Sequence, residues 1–295
     1  MERKTIYALG FFDGVHLGHQ ALLRACRALA EETRCQPGAV TFTSHPDALV
    51  SGNAPELINS IEDRHRLLAR MGMERIAALP FDEEMMRTPW QAFFHRLVEE
   101  FGAAGLVCGY DFRFGAQGAG NALRLEGACR EAGIPCRVVP EQKLDGVTVS
   151  STHIRRLLAE GDVETAGKFL GHPHILSGQV TAGRHLGRQL GTPTANIPAP
   201  HGVLRPRYGV YACKAWVEGA EYMAVTNVGV RPTVEGHHAT VEPWLLDFSG
   251  DLYGKALTLE FHAFLRPERK FDSLVALRAE IRKNADETRK FFGKT

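Results

Sequence analysis

Two histidines three residues apart, His16 and His19, stand in the segment GFFDGVHLGHQ (residues 10–20), directly after a short β-prone run. Residues at this spacing share one face of a helix. A helix that begins behind a parallel strand exposes backbone N–H groups and the positive end of its dipole, so anions bind there. Both imidazoles can donate hydrogen bonds to phosphate oxygens, and Gly14 and Gly18 leave room for a triphosphate. The spacing therefore predicts a nucleotide-phosphate site, with a helix cap and a core histidine as the alternative.

A second cluster of polar side chains falls in the segment SSTHIRR (residues 150–156). Ser151 and Thr152 stand at a predicted helix N-terminus, and Arg155 follows one turn later. Hydroxyl groups and an arginine in the first turn suit a phosphate chain. A plain capping motif with a solvated arginine is the alternative.

A third candidate lies in the tight turn GTPTAN (residues 191–196). Thr194 and Asn196 offer hard oxygen ligands two residues apart, and they share one face if the segment is extended. The segment lacks the strand–helix pattern of a P-loop, so a nucleotide site here would be of another kind. The alternative is that both are ordinary turn residues beside a proline.

The pattern of hydrophobic residues divides the chain into two halves. Up to residue 171, β-prone runs such as TIYALG and GAVTFT alternate with segments of helical periodicity, which is typical of an α/β domain whose parallel sheet is covered on both faces. Beyond it, short β-prone runs broken by glycines predict a compact antiparallel β-barrel, and residues 273–292 predict a closing helix. A length of 295 residues favours two domains, which we place at residues 1–172 and 173–295.

The composition is that of an ordinary globular protein, with 44% hydrophobic and 23% charged residues and a net charge of +1. Neither a basic excess nor a polybasic segment indicates nucleic acid or a membrane surface as a partner. The six cysteines are scattered without a C-x-x-C pair, so they do not indicate a zinc site, and we expect reduced thiols. With neither a secretory signal nor a run of about 18 apolar residues, the sequence predicts a cytoplasmic location.

The first half resembles the adenylyltransferase half of bacterial bifunctional riboflavin kinase/FAD synthetases. The resemblance rests on GFFDGVHLGHQ, TFTSHP (residues 41–46), GYDFRFG (109–115) and SSTHIRRLLAEGDVETAGKFLG (150–171). It implies a Rossmann-like nucleotidyltransferase domain that transfers AMP from ATP to FMN and releases pyrophosphate. By this resemblance, His16 and His19 are the catalytic pair, and Asp111 and Phe112 line the flavin side. The residues expected to bind ATP are Gly14, His16, Gly18, His19, Ser151, Thr152 and Arg155.

Two positions depart from that family pattern. His153 stands where we expect an arginine, and Phe11 stands where asparagine is common. Because a histidine is only partly charged near neutral pH, a His153 that met the triphosphate would weaken this half or make it pH-dependent. A His153→Arg change would then raise the rate of FMN adenylylation at about pH 8.

The second half resembles riboflavin kinase. The matching segments, in the family order, are SGQVTAGRHLGRQLGTPTANI (residues 177–197), GVYA (209–212), TNVGVRPTV (226–234), VEPWLLDFSGDLYG (241–254) and FLRPERKF (264–271). The resemblance implies that Thr194 and Asn196 hold Mg²⁺ together with the ATP phosphates. Gly187 and Gly191 would let the backbone wrap around the nucleotide.

Two further side chains take roles from the same resemblance. Glu242 is expected to act as general base toward the riboflavin 5′-hydroxyl, since phosphoryl transfer to an alcohol needs a proton acceptor. Arg266 is expected to position flavin or nucleotide. Pro243, directly after Glu242, lacks a backbone donor and predicts that its strand lies at a sheet edge.

Together the two resemblances cover nearly the whole chain and predict an enzyme that converts riboflavin to FMN and then FMN to FAD. Its small-molecule partners would be riboflavin, FMN and ATP, with Mg²⁺ as the metal. Three alternatives stay open: a riboflavin kinase whose first half has lost or reduced adenylyl transfer, a flavin-binding regulatory protein, and nucleotide transfer to another phosphate acceptor.

Overall fold

The computed structural model describes residues 3–50, 52–181, 194–198, 200–233 and 236–293, with the backbone alone for residues 231–233 and 236–239. These residues form two compact units. The first comprises residues up to 57 together with 61–151, and the second comprises 58–60 and the residues from 152 onward. The main division between the two units, after residue 151, lies earlier in the chain than the boundary that the sequence pattern predicts between residues 172 and 173. That boundary stays a prediction.

The first unit contains a five-stranded parallel sheet with helices, as the alternation of strands and helices predicted. Its elements in chain order are β1 (Thr5–Leu9), α1 (Leu17–Thr33), β2 (Gln36–Phe42), α2 (Asp47–Val50), α3 (Ile61–Arg70), β3 (Arg75–Leu79), α4 (Glu83–Arg87), α5 (Trp90–Glu99), β4 (Ala103–Gly109), β5 (Arg113–Phe114), β6 (Gly120–Asn121), α6 (Ala122–Glu131), β7 (Cys136–Val139), β8 (Lys143–Leu144) and β9 (Val147–Thr148). The strand order is β3-β2-β1-β4-β7, and neighbouring strands are parallel. All five residues of β1 are buried, as expected for the middle strand of such a sheet.

Helix α1 shows how the sequence builds the layer beside this sheet. Its buried hydrophobic residues recur at intervals of three and four, which gives the helix one apolar face. They are Leu22, Leu23, Cys26, Leu29 and Ala30. The Cys26 thiol lies 3.2 Å from the carbonyl oxygen of Ile6, so this face packs directly on β1.

The second unit contains an antiparallel sheet that nearly closes into a barrel. Its elements are α7 (Ser151–Glu160), α8 (Val163–Leu170), β10 (His174–Gln179), β11 (Ile197–Pro198), β12 (Gly209–Val217), β13 (Ala220–Thr233), β14 (Gly236–Leu245), β15 (Ala256–Arg266) and α9 (Leu274–Phe291), with Ser151 itself counted in the first unit. The strand order is β10-β15-β12-β13-β14-β11. Among the described residues, an isolated bridge between Thr181 and Asn196 joins the two ends of this order. The barrel and the closing helix predicted from sequence are therefore confirmed.

Strand β14, which carries Glu242 and Pro243, is not an edge strand. It pairs with β13 on one side and with β11 on the other. The prediction from Pro243 was wrong because the proline faces the short β11 side, where its carbonyl oxygen accepts the backbone N–H of Ala195 at 2.9 Å. The missing donor therefore costs nothing in the longer pairing with β13.

No helix in the described part of the chain is both long enough and apolar enough to cross a membrane.

Candidate active sites

The turn between β1 and α1 has an unusual backbone path. Phe12 and Val15 have φ values of 58° and 41°, and Gly14 between them has a φ of 81°. Left-handed conformations are costly for residues with a Cβ and easy for glycine, so Gly14 suits the middle of this turn. The turn from Asp13 to Val15 is buried and delivers the chain directly to the start of α1.

His16 and His19 lie together at the N-terminus of α1. His16 is the N-cap residue, and its Nδ1 accepts the backbone N–H of His19 at 3.3 Å. The two imidazole rings stack at 3.6 Å between centroids with an angle of 13°. A Cβ at Gly18 would lie 3.1 Å from the His16 ring, so glycine lets the ring lie over the first turn. His16 thus caps the helix and lines a cavity, which joins the two interpretations that the sequence left open.

The charge state of His19 is set by its surroundings. Burial, the neighbouring His16 and the Arg64 guanidinium hold the pKa of His19 well below its usual range. Its Nδ1 is buried and has no hydrogen-bond partner among the described residues. A neutral imidazole keeps one N–H to donate, while the helix N-terminus beside it attracts negative charge.

A cavity of about 440 Å³ opens at this turn. Ser151, the first residue of α7, also lines it, and its Oγ donates to the carbonyl oxygen of Asp13 at 2.9 Å. The predicted site residues that the cavity brings together are His16, Gly18, His19, Asp111, Phe112 and Ser151. Thr152 and Arg155 follow on α7, and their part in the site stays a prediction.

Asp111 and Phe112 follow β4, at the same carboxyl edge of the parallel sheet as the turn after β1. The Phe112 ring stacks on Phe114 at 5.3 Å with an angle of 18°. Phe112 also packs against the hydrophobic core of the unit. A planar apolar ring beside an exposed carboxylate is a suitable wall for an aromatic ligand.

His153, the departure from the family pattern, belongs to the second unit and packs against residues of the same unit. Its ring meets Phe169 of α8 edge to face at 4.6 Å, and Arg156 lies 3.3 Å from its Nδ1. These contacts give the side chain a packing role. They give no support to the alternative that His153 reduces adenylyl transfer by the first half of the chain.

A second cavity, of about 380 Å³, lies in the second unit. It brings together three of the predicted residues, Thr194, Glu242 and Arg266. Glu242 is half-buried on β14 and lies opposite Asn227 of β13. The lining residues that the sequence did not single out include Asn227, Trp244, Glu268, Arg269, Phe271 and Asn284.

The segment Thr194–Asn196 runs beside the strand that carries Glu242, because the Ala195 backbone N–H donates to Pro243. The Asn196 Nδ2 donates to Thr181 Oγ1 at 3.0 Å. Its Oδ1 is buried and has no hydrogen-bond partner in the described residues. An unpaired buried amide oxygen two residues from a threonine hydroxyl fits a hard cation such as Mg²⁺. Gly187 and Gly191 lie outside the described residues.

Arg266 reaches this cavity but is tied to α9. Its Nε lies 3.2 Å from Glu280 Oε1 and donates to Asn284 Oδ1 at 3.1 Å. Arg269 pairs with the other oxygen of Glu280. The sequence contains a sign of this network, because Glu280 and Asn284 stand four residues apart and therefore share one face of α9. Whether Arg266 also touches flavin stays a prediction.

Glu268 and Asn227 form another contact in the wall of this cavity. The Asn227 Nδ2 donates to Glu268 Oε1 at 3.4 Å. The same carboxylate lies over Gly229, where a Cβ would force the glutamate side chain to move. The hydrogen bond between Asn227 and Glu268 holds the segment after β15 next to β13, the strand that pairs with the Glu242 strand β14.

Two family models match the chain, and together they span most of it. The FAD synthetase model matches residues 1–153, and the riboflavin kinase model matches residues 170–292.

Several curated proteins match over nearly the full length. The bifunctional riboflavin kinase/FMN adenylyltransferase of Listeria monocytogenes is 32% identical over 292 residues, covering 98% of this chain and 93% of that protein. The protein of the same name from Pseudomonas fluorescens is 37% identical over 286 residues, covering 96% of this chain and 91% of its own. A crystal structure described as a macrolide-efflux protein from Streptococcus pneumoniae has a TM-score of 0.88 at 29% identity, covering 98% of this chain and 95% of that chain. Two matched enzyme regions and relatives that span both of them lead to one assignment: the chain belongs to the bifunctional riboflavin kinase/FMN adenylyltransferase family of flavin-forming transferases.

Proposed function

We propose that each cavity carries one of the two reactions, with riboflavin phosphorylated in the second unit and FMN adenylylated in the first. The observation that carries this proposal is that Glu242 and Thr194 line the same cavity, and that Asn196, two residues after Thr194, has a buried Oδ1 with no hydrogen-bond partner among the described residues. A proton acceptor next to hard oxygen ligands is what transfer of a phosphoryl group to an alcohol requires.

In the kinase reaction, Glu242 accepts the proton of the riboflavin 5′-hydroxyl as that oxygen bonds to the γ-phosphorus of ATP and ADP leaves. Thr194 and Asn196 would hold Mg²⁺ with their side-chain oxygens. Side-chain oxygens of this kind are ligands that Mg²⁺ prefers, and the ion would supply positive charge that offsets the charge of the phosphates. The apolar part of the wall, with Trp244 and Phe271, suits the flavin ring.

In the adenylyl transfer, a phosphate oxygen of FMN attacks the α-phosphorus of ATP, and pyrophosphate leaves. The protein needs no nucleophile of its own, because position and charge stabilisation suffice. His16, His19, Gly14 and Gly18 would hold the triphosphate at the N-terminus of α1, and Ser151, Thr152 and Arg155 would add donors from α7. Asp111 and Phe112 would face the flavin.

The test uses the full chain with riboflavin, ATP and MgCl₂, and chromatography resolves riboflavin, FMN and FAD. We expect both FMN and FAD. FMN alone would support the kinase-only alternative, and tight flavin binding without turnover would support a regulatory protein.

Two variants then assign the cavities. Glu242→Gln should lower FMN formation by about 100-fold or more, as expected for loss of a general base, while added FMN is still converted to FAD. Glu221→Gln, an exposed carboxylate on the neighbouring strand, is the control. His16→Asn keeps a good helix cap but removes the imidazole. It should lower FAD formation from FMN without affecting the kinase, and unchanged FAD formation would contradict the assignment.

We also propose a cytoplasmic location, which the thiols support. All six cysteines are unpaired, as expected in a reducing compartment.

A further inference from the structure

Arg64 on α3 is a charged side chain with no exposed surface at all. Burying a guanidinium is costly unless hydrogen bonds replace its water shell. Here Nη1 donates to the carbonyl oxygens of Phe11 and Phe42, each at 2.9 Å, and to Thr41 Oγ1 at 3.2 Å. The Thr41 hydroxyl donates in turn to the Phe11 carbonyl oxygen at 2.8 Å.

These contacts sit directly behind the cavity of the first unit. Phe11 follows β1 and Phe42 ends β2, and both line the cavity although Arg64 itself does not. The Phe11 ring also lies over the guanidinium, with 4.2 Å from its carbon to the ring centroid. One buried cation therefore ties together the ends of two adjacent parallel strands, the edge at which open α/β sheets bind ligands.

The guanidinium is more than a packing group. Its Nε and Nη2 are buried and have no hydrogen-bond partner among the described residues. Asp13, in the turn after β1, acts on it electrostatically, and its own charge acts on His19 of α1. Filling the space alone would be served as well by an apolar side chain of similar length, which would make no hydrogen bonds to the two strand ends and would bury no unpaired donors.

We propose that Arg64 is a positioning residue for adenylyl transfer, which holds the main chain at Phe11 and Phe42 so that the His16–His19 turn keeps its shape against the triphosphate. This inference rests on the proposed assignment of the first cavity. Arg64 acts through the backbone and through its charge, and it does not touch the substrate.

The charge has a consequence for His19 that packing alone would not produce. Burial lowers the pKa of His19 most, and His16 and then Arg64 lower it further. Removal of the cation should therefore raise the pKa of His19, whereas a lysine at the same position should leave it low. Beside burial, the charged or titratable neighbours that lower the pKa of His19 are His16 from the turn and Arg64 from α3, and Asp13 acts on Arg64 in turn.

The experiment compares Arg64→Met and Arg64→Lys in the full chain. Arg70→Met is the matched control, because Arg70 lies on the same helix and is exposed. With FMN and Mg·ATP supplied, Arg64→Met should lower kcat for FAD formation by about 10- to 100-fold, where each factor of ten is 1.36 kcal/mol. The KM for ATP should change less than kcat, and Arg64→Lys should recover much of the loss. The riboflavin kinase activity of the same preparations reports that the rest of the chain is folded.

NMR titration of the His19 ring, assigned with a His19→Gln sample, supplies the readout that does not depend on turnover. Its pKa should rise in Arg64→Met and stay low in Arg64→Lys. A parental kcat in Arg64→Met would overturn the proposal, as would a His19 titration that Arg64→Met leaves in place. If Arg64→Met does not fold, Thr41→Val removes the bridging hydroxyl instead and should lower kcat several-fold, and an unchanged kcat there would likewise overturn it. A parent chain that forms no FAD would refute the assignment of the cavity. The role of Arg64 can still be judged in that case, because the His19 titration does not depend on FAD formation.

Discussion

His174, the first residue of β10, is an imidazole that the fold keeps neutral. Its side chain is completely buried, and neither ring nitrogen has a hydrogen-bond partner among the described residues. The ring lies 5.6 Å from that of Phe261, its cross-strand neighbour, between centroids. Burial, with a further contribution from His172, lowers the pKa of His174 to about 3. An unfolded chain would instead protonate this residue in mildly acidic solution.

Proton linkage gives the sign and size of the effect on stability. An unfolded histidine titrates at about 6.5, so between that pH and about 3 the unfolded state binds more protons and stability falls as the pH falls. With a folded pKa of about 3, the loss at pH 5 is RT ln[(1 + 10^1.5)/(1 + 10^−2)], which is about 2 kcal/mol. The unpaired ring nitrogens cost about 1–3 kcal/mol more at any pH.

His174→Phe removes both penalties while keeping a ring against Phe261. We expect the free energy of unfolding of the second unit to rise at pH 7.5, and the loss between pH 7.5 and 5 to shrink by about 2 kcal/mol. Urea unfolding measures this, and with a slope of about 1.5 kcal/mol/M the difference corresponds to about 1.3 M in midpoint.

The reporter and the control for this measurement come from the chain itself. A Trp90→Phe background leaves Trp216 and Trp244, both in the second unit, as the fluorophores. His95→Gln removes an exposed imidazole from the first unit and should leave the pH dependence as it is in the parent. If His174→Phe loses as much stability between pH 7.5 and 5 as the parent does, a buried neutral imidazole is not the cause and the reasoning is refuted.

Three further predictions concern the two reactions. Gly18→Ala places a Cβ 3.1 Å from the His16 ring, so FAD formation from FMN should fall several-fold with the kinase rate unchanged, and an equal loss of both rates would contradict this. Asn196→Leu removes the buried amide oxygen and should raise the MgCl₂ concentration needed for FMN formation, whereas Asn196→Asp should retain an oxygen ligand; equal metal dependence in both would count against Asn196 as a ligand. His153→Arg should leave FAD formation near its parental rate, because the ring packs on Phe169, and a higher rate at about pH 8 would restore the sequence-based concern.

Most of the fold could be predicted because its long elements have clear periods. Runs such as TIYALG alternate with helical segments along the first half, and this alternation is typical of a parallel sheet. The two-residue strands β5, β6, β8 and β9 could not be predicted, because a period of two cannot be detected in two residues. The neighbours of β14 were missed for the same reason, since β11 spans only Ile197–Pro198.

Much of the first candidate site could be predicted from the sequence, because several of its residues come directly after strands. The carboxyl ends of parallel strands lie at one edge of the sheet, so such residues come together there. Arg64 was missed, since IEDRHRLLAR contains many charges and gives no direct sign of which one is buried. A signal was nevertheless present: Leu67 and Leu68, three and four residues on, are buried on α3, so Arg64 occupies a position of the apolar stripe. A charge in such a position needs internal partners, and only the tertiary structure shows that they are two strand-end carbonyls.

The two cavities hold their cations in different ways. In the first, the buried guanidinium of Arg64 stands behind the wall, bonded to neutral acceptors and with Asp13 as the carboxylate that acts on it, and its charge contributes to keeping His19 unprotonated. In the second, Arg266 and Arg269 share the single carboxylate of Glu280, and Glu242 and Glu268 add negative charge to the wall. Protein cations are thus largely compensated where phosphoryl transfer is proposed. The kinase reaction should therefore depend more steeply on an added divalent cation than adenylyl transfer does, because charge on the transferred phosphoryl group must be balanced from outside the side chains.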